Sequence, residues 1–203
     1  LLHAVVNVDV GGVKRALEEG ADAERRVDIK KLNEEFQILK RTSTTLSQTI
    51  EGTVCTLLYP HIFLLAWFGT ADNRKASPEE LNIIEMLLQS AKDPKALAND
   101  VLDVTQGPDD PFHNLSLLLQ AAYGNQLEVC KLLLRFGADP LLKAANGMTA
   151  LSVAKQFDRP KILSVLLASM EDREGTPPIG ELTSVDDVVQ WVQISKPYFV
   201  NQH

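Results

Sequence analysis

A pattern of apolar and polar positions repeats along residues 118–167 with a period of 33 residues. A shift by one period carries Leu118 onto Leu151 and Ala121 onto Ala154. Within each period the apolar positions recur at helical spacing, which predicts two helices per unit, each with one buried face. Because a single pair of helices cannot bury its own apolar face, neighbouring units are expected to stack.

Each unit also carries signals for the ends of its helices. Gly137 follows the second predicted helix, where a residue with positive φ commonly ends a helix. Asp139 and Pro140 then predict a turn that leads out of the unit. The second helix of each unit carries an apolar triplet, at 132–134 and 165–167, and we expect most of these side chains to be buried, in particular Leu132, Leu133, Leu166 and Leu167.

Together these features resemble the ankyrin repeat. The resemblance is close over residues 113–169, which we assign to two repeats. It rests on the 33-residue period, the apolar triplet, Gly-Ala-Asp at 137–139 and Gly-x-Thr at 147–149. The resemblance implies an all-α fold, an ankyrin-type α-solenoid with irregular repeats, hairpin-like loops and a concave recognition face.

Two further segments resemble the family less closely. Residues 1–22 end in Gly-Ala-Asp and are assigned to a first ankyrin-like repeat. Residues 56–96 are assigned to an irregular repeat, with a first helix expected near 63–69. Its second helix is predicted to begin with Ser77 as the N-cap and Pro78 at the first helical position.

The remaining residues form two insertions and a tail. Residues 23–55 show helical spacing without repeat signals, so we predict an inserted helix over 25–41, with a degenerate repeat as the alternative. Residues 97–112 contain Gly-Pro-Asp-Asp-Pro and predict an inserted loop. Residues 170–182 form a charged, Pro-rich linker. Residues 183–203 predict a C-terminal helix and tail, which either caps the last repeat or begins a separate partner-binding module.

The net charge of the chain limits the classes of partner that it is expected to bind. The 203 residues carry a net charge of −7, which argues against a general nucleic-acid binder. Segment 25–41 differs, with a charge of +3, and it forms either a solvated helix face or a contact with an acidic partner. No apolar run is long enough for a membrane span. The first residues lack the features of a signal peptide and an initiating Met, so the chain is expected to be a fragment.

Candidate catalytic and metal-binding groups are few. Cys55 and Cys130 are expected to be buried thiols of a cytoplasmic or nuclear protein, because two cysteines make no disulfide framework. Ser152 and Lys155 match the S-x-x-K string of penicillin-recognising enzymes, but they fall within the first helix of a repeat. The four histidines have no zinc-site spacing. We therefore expect no enzyme, no cofactor and no bound metal.

The candidate binding residues follow from the family resemblance. The two positions after the characteristic Ala pair of the first ankyrin helix project toward the concave face. The candidates on that face and at the adjacent loop tip are Phe68, Tyr123, Gln156, Phe157, Asn146 and Met148. The alternative is that Phe68 and Phe157 fill gaps left by irregular repeats. Aromatic residues commonly anchor protein interfaces.

The resemblance therefore implies a protein-protein interaction scaffold or a regulatory ankyrin-repeat module without catalytic activity. The partner is expected to be another protein. The alternative is the autoregulatory ankyrin domain of a larger enzyme or channel, in intramolecular contact with its flanking domains.

Overall fold

A computed structural model describes residues 1–28, 54–56, 58, 75–102 and 114–171. This part of the chain contains eight helices and two short strands. In chain order they are α1 (Leu2–Val6), α2 (Val10–Glu18), β1 (Arg26–Asp28), β2 (Val54–Thr56), α3 (Pro78–Ser90), α4 (Pro94–Ala98), α5 (Leu117–Tyr123), α6 (Leu127–Arg135), α7 (Ala150–Gln156) and α8 (Pro160–Glu171). The described part of the chain is mostly helical, in agreement with the expected class, and it adds one two-stranded sheet that was not predicted.

The helices pack as pairs that are consecutive in the chain: α1 with α2, α5 with α6, and α7 with α8. Further contacts run from α2 to α3, from α3 to α6, and from α6 to α8. One apolar cluster runs through these contacts. It includes Leu132, Leu133, Leu166 and Leu167, which are all buried as predicted.

Small side chains let the first helices α5 and α7 approach each other. Ala121, Ala122 and Ala154 are fully excluded from solvent. A larger side chain at any of these positions would have to displace a neighbouring helix, because protein interiors leave little free volume.

Five of the described helices begin at a side chain that accepts a hydrogen bond from the backbone. Ser77 and Glu80 form a reciprocal capping box at the start of α3, with Pro78 next to the cap, as predicted. Thr149 and Ser152 form the same arrangement at the start of α7. Ser152 Oγ accepts from the Thr149 N–H at 2.9 Å and donates to the Thr149 carbonyl at 3.0 Å. Its place in the S-x-x-K string thus has a structural explanation.

The predicted left-handed glycine at the end of α6 is confirmed. Gly137 has φ +85°, and its N–H donates to the Leu134 carbonyl at 2.9 Å. The next residue, Ala138, donates to the Leu133 carbonyl at 3.0 Å, which completes a Schellman motif. The first helices also end at residues with positive φ, but these residues carry side chains: Val8, Asn125 and Asp158. For Val8, a β-branched residue, this conformation costs about 1–2 kcal/mol.

Replacing Gly137 with Val is expected to lower the free energy of unfolding by about 1–2 kcal/mol, because the left-handed conformation crowds a Cβ atom. A Cβ at this position would also lie 3.1 Å from Lys95 Cγ. Gly20→Val is the matched control, since Gly20 has φ +87° and no atom within 4 Å of the added Cβ. Urea denaturation should show both losses, with the larger one at Gly137. An unchanged midpoint for both variants would contradict the strain argument.

The first insertion begins and ends in strands, so the helix predicted over 25–41 is wrong at its described start. β1 and β2 pair antiparallel, with Arg26 opposite Thr56 and Asp28 opposite Val54. Val27 and Thr56 are both buried, and because Thr56 pairs with Arg26 and not with Val27, the two side chains lie on opposite faces of this short sheet. The pairing brings the two ends of the insertion together. The apolar positions that suggested a helix lie outside the described residues.

The second insertion is also closed at its base by backbone pairing. Val101 and Ser116 form an antiparallel bridge, and the Leu102 N–H donates to the Leu115 carbonyl at 3.0 Å. The Gly-Pro-Asp-Asp-Pro stretch at 107–111, which predicted a loop within 97–112, lies outside the described residues. Helix α4, which precedes this base, was not predicted.

Polar contacts join the bases of the two insertions. Arg26 Nη1 lies 3.0 Å from Asp100 Oδ1, and the Asp93 N–H donates to Glu24 Oε1 at 3.0 Å. Arg26, one of the basic residues of segment 25–41, is therefore engaged within the chain. The predicted helix over 183–203 lies outside the described residues.

Candidate binding surface

Two of the candidate residues form an aromatic pair. Tyr123 is the last residue of α5, and Phe157 directly follows α7. Their ring centroids lie 5.0 Å apart with an interplanar angle of 83°, the edge-to-face arrangement that aromatic rings favour. Tyr123 is half-buried against the core, whereas Phe157 is 38% exposed. Among the described residues, Phe157 is the one large hydrophobic residue classed as exposed.

The two rings are not at equivalent positions of their repeats. One period carries Tyr123 onto Gln156 and Gly124 onto Phe157. Gly124 is buried, whereas Gln156, which precedes Phe157 in the sequence, is exposed. The aromatic contact therefore joins the last helical position of one repeat to the following position of the next.

The residues that lead into α3 pack against the turn between α5 and α6. Lys75 Nζ donates to the Asn125 carbonyl at 2.6 Å, and the Ala76 N–H donates to Gln126 Oε1 at 3.0 Å. Gln126 is buried and also donates to the Gly124 carbonyl at 3.0 Å. These bonds bring the Lys75 ammonium group to the turn that follows Tyr123. The sequence offered no signal for this contact.

Helix α7 presents a polar face to solvent. Ser152, Lys155 and Gln156 are exposed and lie at positions three and four apart, so they share one side of the helix. Val153 and Ala154 between them are fully buried. The exposed side of α7 thus combines a cationic group with neutral hydrogen-bonding groups.

Asn146 and Met148 lie in the loop between the last two helix pairs. The Met148 N–H donates to Asn146 Oδ1 at 3.0 Å, and Asn146 Nδ2 lies 3.3 Å from Met148 Sδ. Gly147 between them has φ +78° and donates to the Ala144 carbonyl at 2.9 Å. This tip is a tight turn that exposes the Asn146 side chain. The remaining candidate, Phe68, lies outside the described residues.

The described residues offer little reactive chemistry. Burial raises the pKa of the Cys130 thiol well above its ordinary range, so it stays protonated. Within the described ranges no group of His, Cys, Asp or Glu side chains is arranged to hold a metal ion. No helix in that part of the chain is long and apolar enough to cross a membrane.

The paired helices, their left-handed ends and the tight loop between pairs are the features of a helical-repeat protein. Residues 113–145, which include α5, α6 and the start of the following loop, match the model of the ankyrin repeat family. The chain therefore contains an ankyrin repeat, and the predicted resemblance is confirmed. No curated protein matches the chain.

Proposed function

We propose that this chain is an ankyrin-type α-solenoid that binds another protein, as a scaffold or a regulatory module without catalytic activity of its own. The observation that supports this proposal is the exposure of Phe157, whose ring rests edge-to-face on Tyr123. Interfaces are commonly anchored by aromatic side chains that a partner buries completely. The presence of an ankyrin repeat is in keeping with this role, since ankyrin repeats typically bind proteins.

The placement of the two rings favours binding over a purely structural role. The core of both repeats is already filled by the buried leucines of α6 and α8. A phenyl ring left in water forgoes the transfer free energy of its exposed area, about 25 cal/mol per Å². A partner that covers Phe157 would recover that free energy, while Tyr123 holds the ring in a defined position.

The proposed surface extends to the other candidates. Gln156 would supply hydrogen bonds beside the phenyl ring, and Asn146 and Met148 would contribute at the loop tip. Phe68 is proposed for the same surface because in the sequence it follows Ala66 and Trp67, the counterparts of the Ala pair of the first ankyrin helix. We propose a cytoplasmic or nuclear location, which the buried free thiol of Cys130 supports.

Replacing Tyr123 and Phe157 together with Ala is expected to weaken partner binding by about 2 kcal/mol or more, roughly 30-fold in Kd. The full chain would first be used to capture and identify a partner, and Kd would then be measured by calorimetry with the purified partner. Lys161→Ala, at an exposed position of α8, serves as the surface control.

Thermal unfolding of the same variants separates binding from stability. The double variant should lose less stability than Leu133→Ala, because Phe157 is partly exposed. A large loss of stability with unaltered Kd would make both rings core residues and would overturn the proposed function.

A further inference from the structure

We propose that residues 183–196, called the tail segment below, bind in a groove on the side of their own chain. This side groove lies between α4, the loop that follows α6, and the last turn of α8, and it has a volume of about 660 Å³. All three elements contribute to its lining, among others through Lys95, Leu142 and Ser169. The aromatic pair is not part of this lining, so the inference does not rest on the proposed function.

The side groove leaves aliphatic surface open to solvent. Three of its side chains are aliphatic and only half-buried: Val101, Leu134 and Leu142. The Lys95 methylenes extend this surface over Gly137, where an added Cβ would lie 3.1 Å from Lys95 Cγ. The charged groups of the lining, the Lys95 ammonium and the Asp139 carboxylate, balance each other. The lining therefore favours an apolar occupant over a charged one.

The tail segment supplies an apolar face of the right kind. Four valines recur at positions i, i+3, i+4 and i+7 of the predicted helix: Val185, Val188, Val189 and Val192. This spacing places them on one face, and Asp187 and Gln190 fall on the opposite side. An isolated helix of this length is marginal in water, because most helical stability comes from packing of the apolar face. The valine face therefore needs a surface to cover it.

Helix α8 leads the chain to the side groove. Ser169, in the last turn of α8, lines the groove, and α8 ends at Glu171. Residues 172–182 then connect α8 to the tail segment, and eleven residues span up to about 35 Å when extended. A short tether of this kind gives a local concentration on the order of 1 mM. An apolar contact of modest affinity is therefore enough to hold the tail segment, and a second copy of the chain competes poorly with it.

Two other surfaces fit the valine face less well. The exposed side of α8 carries Lys161, Ser164 and Ala168, so the last helix pair already has the polar or small outer residues that a terminal repeat requires. A second groove, between α3 and α6, is smaller at about 280 Å³. The ion pair of Arg135 Nη2 with Glu85 Oε1, at 2.6 Å, lines this second groove. The side groove therefore offers the tail segment the better apolar contact.

Photo-cross-linking in the full chain tests the proposal. The photoreactive amino acid p-benzoylphenylalanine replaces Leu142 in the side groove, and mass spectrometry identifies the linked residues. The same probe in place of Leu81 is the matched control, since Leu81 is also a half-buried leucine but lines the second groove. A reciprocal probe in place of Val192 reports from the tail segment. Circular dichroism melting checks that each chain is folded.

We expect the probe at 142, but not the probe at 81, to link to residues 183–196 of the same chain, with a yield that does not change on dilution. The probe at 192 should link to residues 95–101 or 134–142. In Val188→Asp/Val189→Asp the yield from 142 should fall about fivefold or more, because two carboxylates would enter an apolar contact. Thr183→Asp/Gln190→Asp adds the same charges on the opposite face and should change the yield less than about twofold.

Four other outcomes would overturn the proposal. Links from position 142 to residues 103–113 would mean that the second insertion covers the side groove. Links between chains, with a yield that rises with protein concentration, would assign the groove to a second copy. A probe at position 157 that captures the tail segment in place of the probe at 142 would move the contact to the aromatic pair. The absence of links between the groove and the tail segment from both probes, at 142 and at 192, would exclude the contact altogether.

Discussion

Replacing Leu133 with Ala is expected to lower the free energy of unfolding by about 2–5 kcal/mol, because the substitution leaves a cavity in a well-packed core. Leu133 is fully excluded from solvent. It belongs to α6, which packs against α3, α5 and α8, so few rearrangements could fill the space. Urea denaturation at equilibrium measures the loss. Of all single substitutions considered for this chain, it should have the largest effect on stability.

The neighbouring leucine provides the control for Leu133→Ala. Leu134 lies on the same helix and is only half-buried, so Leu134→Ala removes the same atoms but leaves a site open to water. Its cost should be clearly smaller. A loss below about 0.5 kcal/mol for Leu133→Ala would contradict the burial of the apolar triplet and the repeat assignment built on it.

Replacing Asn99 with Ala is expected to lower the free energy of unfolding by about 1–3 kcal/mol, the second large effect, because its amide joins the end of α4 to the loop that follows α6. Asn99 Nδ2 donates to the carbonyls of Lys95 and Gly137, each at 2.9 Å. Its Oδ1 accepts from the Asp139 N–H at 2.7 Å. The side chain thus holds the end of α4 against the loop that follows α6. Removing it leaves backbone groups without these partners.

Asn99→Asp sharpens the experiment. A carboxylate still accepts from the Asp139 N–H, but it has no donor for the two carbonyls and repels them. This variant should therefore be at least as destabilising as Asn99→Ala, although it is nearly isosteric. Asn82→Ala, at an exposed position of α3, is the control and should change stability by less than about 0.5 kcal/mol. Equal stability of the wild type and Asn99→Asp would show that the amide bonds contribute nothing.

The features predicted correctly are local ones. The start of α3 follows from Ser77, Pro78 and Glu80, which are within one helical turn of each other. The positive φ of Gly137 follows from its place directly after an apolar helix. Burial of the leucine positions follows from helical periodicity, since one face of a stacked helix must leave water. None of these inferences needs knowledge of distant residues.

The candidate surface was only partly accessible from sequence. The 33-residue period places Tyr123 and Phe157 near the ends of the first helices of their repeats. Both were therefore predicted as candidate binding residues. The edge-to-face contact and the exposure of Phe157 depend on how neighbouring repeats pack. Lys75 could not be found at all, because its partner Asn125 is 50 residues away and the bond is made by a backbone carbonyl.

The pairs Asp93-Pro94 and Asp139-Pro140 show where local sequence determined the structure and where it did not. Each Asp follows the second helix of its unit, and the repeat signals around Asp139 correctly predicted a turn, in which Oδ1 accepts from the Leu141 N–H. Asp93 instead caps α4 by accepting from the Ala96 N–H.

Sequence alone determined the period, the caps and the buried faces of the repeats, because these depend on residues a few positions apart. The tertiary structure decided that Pro94 begins a helix, because Leu97 and Ala98 can be buried there and Asn99 can bond to the next repeat. It also decided that residues 26–28 form a strand, because the chain brings residues 54–56 back beside them to pair antiparallel.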